Sequence, residues 1–246
     1  MTKLIVSVRN ADEAVTAHNA GADLIDIKEP RNGSLGAPST ETVGAVVREV
    51  ATARPISVAL GDLGEWSDNA GNFSVDIEGL GVRFAKIGLA GGADLSSWAA
   101  HWKIAMEQLP ADVQHVAVVY ADWQHAGAPP PDEIIDCAHE FDCAATLLDT
   151  WDKKRGGLLE RWAEGDVSAL VTDVQSRGMI SVVAGSLDER AIVRLRRVRP
   201  DYFAVRGAVC AGGRTATLDA TLVARLSELI RNQHGGPFPE SASIRA

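Results

Sequence analysis

The feature that most narrows the fold is an alternation sustained over almost the whole chain. Eight short runs rich in β-branched and apolar residues read as strands: Leu4–Val8, Leu24–Lys28, Ile56–Leu60, Phe84–Leu89, His115–Tyr120, Ala144–Asp149, Ile180–Ala184 and Tyr202–Arg206. Between them lie segments with apolar residues at helical spacing, namely Asp12–Ala20, Thr40–Thr52, Leu95–Leu109, Asp132–Phe141, Asp166–Arg177, Asp188–Arg197 and Thr217–Arg231, with a weaker helix at Ser74–Gly81. Hydroxyls precede acidic first turns at Ser39-Thr40-Glu41 and at Ser186-Leu187-Asp188-Glu189, which is N-cap chemistry. Gly21, Gly81 and Gly178 each sit between a helix and a strand, where a left-handed cap is wanted. Eight βα units with no compositional break predict one α/β domain, a (β/α)8 TIM barrel over residues 1–233. A dinucleotide-binding sheet is disfavoured, because no GxGxxG follows the first strand. The Gly/Pro/Ser-rich end, residues 234–246, is expected to be a flexible tail.

Composition removes several classes of function. The 246 residues carry 24 basic and 33 acidic side chains, a net charge of −9, so nucleic acid and anionic membranes are not expected partners. No apolar run approaches the roughly 20 residues of a spanning helix, and the start lacks the pattern of a signal peptide. Cys137, Cys143 and Cys210 are an odd number without CxxC spacing, which predicts free thiols, no metal site and a cytoplasmic location.

Strands of a parallel barrel should be almost wholly apolar, and barrel active sites lie at the strand C-termini. Polar residues there are the informative ones. In Leu24-Ile25-Asp26-Ile27-Lys28 the two-residue spacing puts Asp26 and Lys28 on one face and the isoleucines on the other. With the isoleucines toward the helices, carboxylate and amine point inward. A buried structural ion pair is the alternative, but such pairs seldom improve on apolar packing. Lys86 interrupts Phe84-Ala85-Lys86-Ile87-Gly88, and Asp149 ends the sixth strand ahead of Lys153, Lys154 and Arg155. Strands two, four and six feed the same interior layer, so Lys28, Lys86 and Asp149 can meet. Burial and neighbouring cations lower an amine's pKa and free it to attack a carbonyl, with aspartates moving protons. This pattern points to Schiff-base carbonyl chemistry without a cofactor.

The last two strands read as an anion site. Gly185 and Ser186 close the seventh, Arg206, Gly207 and Ala208 close the eighth, and Gly212-Gly213-Arg214 follows. Barrels commonly hold phosphate on backbone N–H groups there, although glycines also serve tight turns. The loop Gly33-Ser34-Leu35-Gly36 is similarly built, and Ser34 can contact a second phosphate. Asp62, Asp122 and His125 follow strands three and five and either reach the mouth or lie in solvated loops. The tryptophans are scattered over helices and loops, which suits packing or self-association into a homo-oligomer.

The segments DLIDIKEPRNGSLGAP, RFAKIGL, VVYADWQ, TLLDTWDKK, VVAGSL and YFAVRGAVCAGG resemble (5-formylfuran-3-yl)methyl phosphate synthase, also called 4-(hydroxymethyl)-2-furancarboxaldehyde-phosphate synthase. The resemblance runs from Leu4 to about Ile230. It implies a TIM-barrel lyase of methanofuran biosynthesis that condenses two glyceraldehyde 3-phosphate molecules through a lysine Schiff base, losing phosphate and water. It implies functional roles for Asp26, Lys28, Lys86, Asp149 and Lys153. Here the D-T-x-x-K segment continues into Lys154 and Arg155, so Lys154 competes with Lys153 for the loop position. The alternatives are a class I aldolase or sugar-phosphate isomerase on the same scaffold, or a non-catalytic barrel that binds a phosphometabolite.

Overall fold

The computed structural model describes residues 1–50, 53–68, 76–95 and 97–232. Eight strands, β1 (Lys3–Val8), β2 (Leu24–Ile27), β3 (Ile56–Asp62), β4 (Phe84–Gly88), β5 (Gln114–Tyr120), β6 (Ala145–Asp149), β7 (Ile180–Val183) and β8 (Tyr202–Val205), pair in sequence order. β8 pairs with β1 in parallel and closes the barrel. Around it run α1 (Ala11–Asn19), α2 (Thr40–Val50), α3 (Leu63–Asp68), α4 (Trp98–Glu107), α5 (Trp123–Ala126), α6 (Pro131–Glu140), α7 (Glu164–Ser176), α8 (Glu189–Leu195) and α9 (Ala220–Arg231).

Strand alternation sorts the apolar residues into two cores. Leu4, Val6 and Val8 of β1, Ile25 and Ile27 of β2 and Ala85 and Ile87 of β4 face outward and pack against the helices. Ile5, Leu24, Val116, Val118, Leu147 and Val182 fill the barrel interior. Because side chains alternate with period two, fixing the isoleucines of β2 outward forces Asp26 and Lys28 inward. Lys28 lies just past β2, but its N–H donates to the Val8 carbonyl at 3.1 Å, so the ladder still sets its direction.

Four helices, α1, α2, α8 and α9, start on Asx or hydroxyl caps. The Asn10 side chain accepts from Glu13 N, Asp219 accepts from Thr221 N and Leu222 N, and Ser39 Oγ accepts from Thr42 N at 3.2 Å. At α8 the cap is Asp188, which accepts from Ala191 N at 2.7 Å, rather than the Ser186 hydroxyl. Gly21, Gly81 and Gly178 all take positive φ. Ser74 and Val75 of the weak predicted helix lie outside the described residues, as do Thr52 and the run 233–246. The remainder, Asp76–Gly81, is a turn whose Ile77 is buried; the helix after β3 is α3, which follows the strand directly. Trp98 stacks on Trp102 with ring centroids 6.2 Å apart, and Trp102 meets Phe141 edge-on, so these rings serve packing of the helical shell. No helix among the described residues is long and apolar enough to cross a membrane.

Candidate active site

A cavity of about 370 Å³ opens at the C-terminal end of the strands and reaches down the barrel to Phe84 and Tyr202. Its apolar wall combines small inner residues such as Ala145, Ala184 and Ala204 with larger ones such as Leu24, Leu147 and Val182. Five cationic side chains (Lys28, Lys86, Lys153, Arg206, Arg214) and three acidic ones (Asp26, Asp149, Asp188) line it. A positive cavity in a chain of net charge −9 is a local arrangement suited to anionic ligands.

Five of these charged groups form two pairs and one single amine. Asp26 accepts from Ser7 Oγ at 2.8 Å, from Ser57 Oγ and from Lys86 Nζ, and Lys86 Nζ also reaches Ser57 Oγ at 3.3 Å. Burial would raise the Asp26 carboxyl, but the ammonium groups of Lys86 and Lys28 hold it below the usual range. Asp149 accepts from Lys153 Nζ, from Thr150 N at 2.8 Å and from Ser34 Oγ at 3.3 Å. Burial again opposes ionisation, and Lys153 and Lys28 overcome it. Lys28 stands between these pairs, 8% exposed, and makes no ion pair of its own among the described residues. Burial pulls its pKa from 10.5 down to about 8; Asp149 and Asp26 resist, while Lys153 and Lys86 push further down. An amine in this state is available as a nucleophile near neutral pH. Asp26, expected from its spacing to serve Lys28, is instead the hydrogen-bonded partner of Lys86.

Of the two loop lysines, Lys153 lines the cavity and Lys154 does not. The Lys153 ammonium is turned into the cavity onto Asp149 and Thr150 Oγ1, whereas Lys154 is exposed on the surface. Gly185, Ser186, Gly207 and Ala208 line the mouth as their positions after β7 and β8 require. Gly185 has φ 96° and Ser186 φ 53°, a left-handed turn that is uncommon for a serine and is here exposed at the mouth.

Two residues expected to bind phosphate do something else. The Arg206 guanidinium spends its donors on the protein: Nε on Arg214 O at 2.8 Å, Nη1 on Ser7 O and Glu13, and Nη2 on Glu13 and Ala216 O. It is buried, and no donor remains for a ligand. Ser34 is 1% exposed, outside the cavity wall, and its hydroxyl serves Asp149 and Thr150 O.

Asp62, which ends β3, and Asp122 and His125, which follow β5, do not line the cavity. Asp62 accepts from the Tyr120 hydroxyl at 2.8 Å and from Ala90 N at 3.2 Å, and burial raises its pKa to about 6. Asp122 accepts from Trp151 N at 2.7 Å and Asp152 N at 3.0 Å, which fastens the loop that carries Lys153. His125 is on the outside, 3.5 Å from Asp152 and edge-on to Trp151. Ser7 and Ser57 belong to the site although the strand reading passed over them, and Arg214, read in the sequence only as following the anion site of the eighth strand, lines the same cavity. The signal for the serines is the one that marks Asp26, a polar side chain at an inward position of an apolar strand.

Position, burial and charge together define a (β/α)8-barrel enzyme with a lysine-centred site at the strand C-termini. The chain belongs to the 4-HFC-P synthase family, whose model matches residues 4–227. It is 30% identical over 236 residues to the (5-formylfuran-3-yl)methyl phosphate synthase of Methanobrevibacter smithii, covering 92% of this chain and 98% of that one. With the enzyme of the same name from Methanopyrus kandleri it shares 29% over 233 residues, 93% and 98% of the two chains. Among solved structures, phosphoribosyl anthranilate isomerase from Thermotoga maritima superimposes with a TM-score of 0.60 at 15% identity, over 94% of this chain and all of that one. For 3-hexulose-6-phosphate synthase from Salmonella typhimurium the TM-score is 0.57 at 12% identity, over 95% and 100% of the chains. These likenesses are of fold.

Proposed function

We propose that the protein is a (5-formylfuran-3-yl)methyl phosphate synthase, a lyase that makes this furan from two glyceraldehyde 3-phosphate molecules in methanofuran-type cofactor biosynthesis. The observation that carries the reading is Lys28, a buried amine of lowered pKa between two lysine–aspartate pairs in a cavity of about 370 Å³. The names of the relatives supply the product; the geometry supports the route.

In this reading one triose phosphate is first isomerised to its ketone. Lys28 attacks the ketone carbon and water leaves, giving an imine whose loss of a carbon-bound proton gives an enamine. The enamine carbon attacks the aldehyde of the second molecule. Loss of one phosphate and of water, with ring closure and release of Lys28, yields a six-carbon furan that keeps a formyl group and one phosphate. Asp26 and Asp149 are the proton carriers, since both are buried carboxylates beside the amine. Lys86 and Lys153 stabilise developing negative charge and keep the neutral form of Lys28 accessible. One phosphate lies on the backbone of Gly185–Ser186 and Gly207–Ala208. The three free thiols suit a reducing compartment, and the reading places the enzyme in the cytoplasm.

Incubation with glyceraldehyde 3-phosphate alone, followed by mass spectrometry and an inorganic phosphate assay, tests the reading. Furan phosphate and free phosphate in equal amounts are the expected products. A reversible aldol or ketose product without phosphate release would replace the reading with an aldolase or isomerase.

A further inference from the structure

Two substrate phosphates must enter one cavity if the reading above holds, and the loops after β7 and β8 suit one of them. Lys86 is engaged by Asp26 and Ser57, Lys153 by Asp149 and Thr150, and Arg206 by Glu13 and three carbonyls. Lys28 is the candidate nucleophile. Arg214 differs from all of these. Its guanidinium lines the cavity and makes one hydrogen bond among the described residues, from Nη2 to Gly33 O at 2.8 Å, with no ion pair. Of five N–H donors, four remain.

The backbone that carries Arg214 is held from behind. Arg206 Nε donates to Arg214 O, Arg206 Nη2 donates to Ala216 O at 2.9 Å, and Arg9 Nη1 donates to Thr215 O at 2.7 Å. Glu13, 4% exposed on α1, binds both arginines. The carbonyls of three successive residues, 214–216, are thus pinned while the tip of Arg214 crosses from the β8 loop to the β2 loop. Asp149 and Glu29 act on it electrostatically, and it acts in turn on Lys153. A planar, pre-positioned fork with unspent donors is matched to phosphate oxygens rather than to a carbonyl or hydroxyl.

We infer that Arg214 anchors a second phosphate on the β2 side of the mouth, separate from the backbone site after β7 and β8, and that Arg9, Glu13 and Arg206 are its positioning residues. The proposal rests on the two-triose reading for the identity of the ligand, not for the existence of the site.

Calorimetric titration with sn-glycerol 3-phosphate tests it, because this triose phosphate analogue has no carbonyl and cannot form an imine. The parent should bind two molecules per chain, and Arg214→Gln one, with an unchanged circular dichroism spectrum. Arg214→Lys, which keeps the charge but loses the fork, should bind two, the second at least fivefold more weakly; it carries the test if the Gln variant does not fold. One molecule per chain in the parent, or two of unchanged affinity in Arg214→Gln, would overturn the assignment. Absence of furan product from the parent would instead count against the reaction, and leaves the stoichiometry readable.

Discussion

Replacing Lys28 by Met should make the protein more stable at neutral pH while removing its activity. A lysine held at about 8 instead of 10.5 costs the folded state roughly 3 kcal/mol in its charged form, at about 1.36 kcal/mol per pK unit. The sign follows from which state holds the proton. Below pH 8 both the folded and unfolded chains are protonated at Lys28, so the whole cost is present. As pH rises from 8 toward 10.5 the unfolded chain keeps the proton that the folded chain has lost, and stability increases. By pH 9.5 about 2 kcal/mol of the cost has gone. Methionine keeps the unbranched stem and removes the charge, and the attraction of Lys28 to Asp26 and Asp149 is already part of the value of about 8. Each carboxylate retains its own lysine, so the expected net gain at pH 7 is about 2–3 kcal/mol, equivalent to several degrees in Tm. Urea denaturation of parent and variant at pH 7 and pH 9.5 measures it. The advantage of Lys28→Met should shrink by about 2 kcal/mol at the higher pH. A variant less stable than the parent at pH 7, or a difference equal at both values, would refute the reasoning.

Three other outcomes are expected. The rate of imine formation on Lys28 should rise with pH through a midpoint near 8, as stopped-flow or quenched borohydride trapping can follow; a midpoint near 10.5 would mean an unperturbed amine. Lys153→Ala should lower turnover by roughly 100-fold and Lys154→Ala by less than about threefold, since only Lys153 lies on Asp149; steady-state kinetics on both variants decides between them. Glu13→Gln leaves Arg206 buried without its carboxylate and should cost about 3–5 kcal/mol in urea denaturation; a loss below about 1 kcal/mol would contradict the view that this pair fixes the β8 loop.

The barrel was legible because its signal is long-range in count but local in form. Each strand is a short apolar run, and eight of them in alternation leave few other closed architectures. Short elements were not legible: α5 has four residues and α3 six, too few for a 3.6-residue period to show. Within the site, alternation on β2 put Asp26 and Lys28 inward correctly. It could not show that the Asp26 carboxylate would be taken by Lys86, because that contact spans 60 residues and depends on barrel register. The same limit explains Arg206 and Ser34. A polar residue at a strand end marks the mouth, but whether it faces ligand or protein depends on neighbours such as Glu13, 193 residues away from Arg206. Gly88 is readable only in three dimensions. A Cβ there would meet Asp62 Oδ1 at 1.9 Å and the Tyr120 hydroxyl at 2.4 Å, so the glycine makes room for that buried pair.

The most direct test is to find which lysine carries the carbon skeleton. Borohydride reduction of the protein in the presence of glyceraldehyde 3-phosphate, followed by proteolysis and peptide mass mapping, reports this in one experiment. The reduced triose phosphate adduct is expected on Lys28, with Lys28→Arg giving none because a guanidinium cannot be deprotonated to attack a carbonyl. An adduct mapped to Lys86 or Lys153, or trapping that survives Lys28→Arg, would contradict the central role of the unpaired amine.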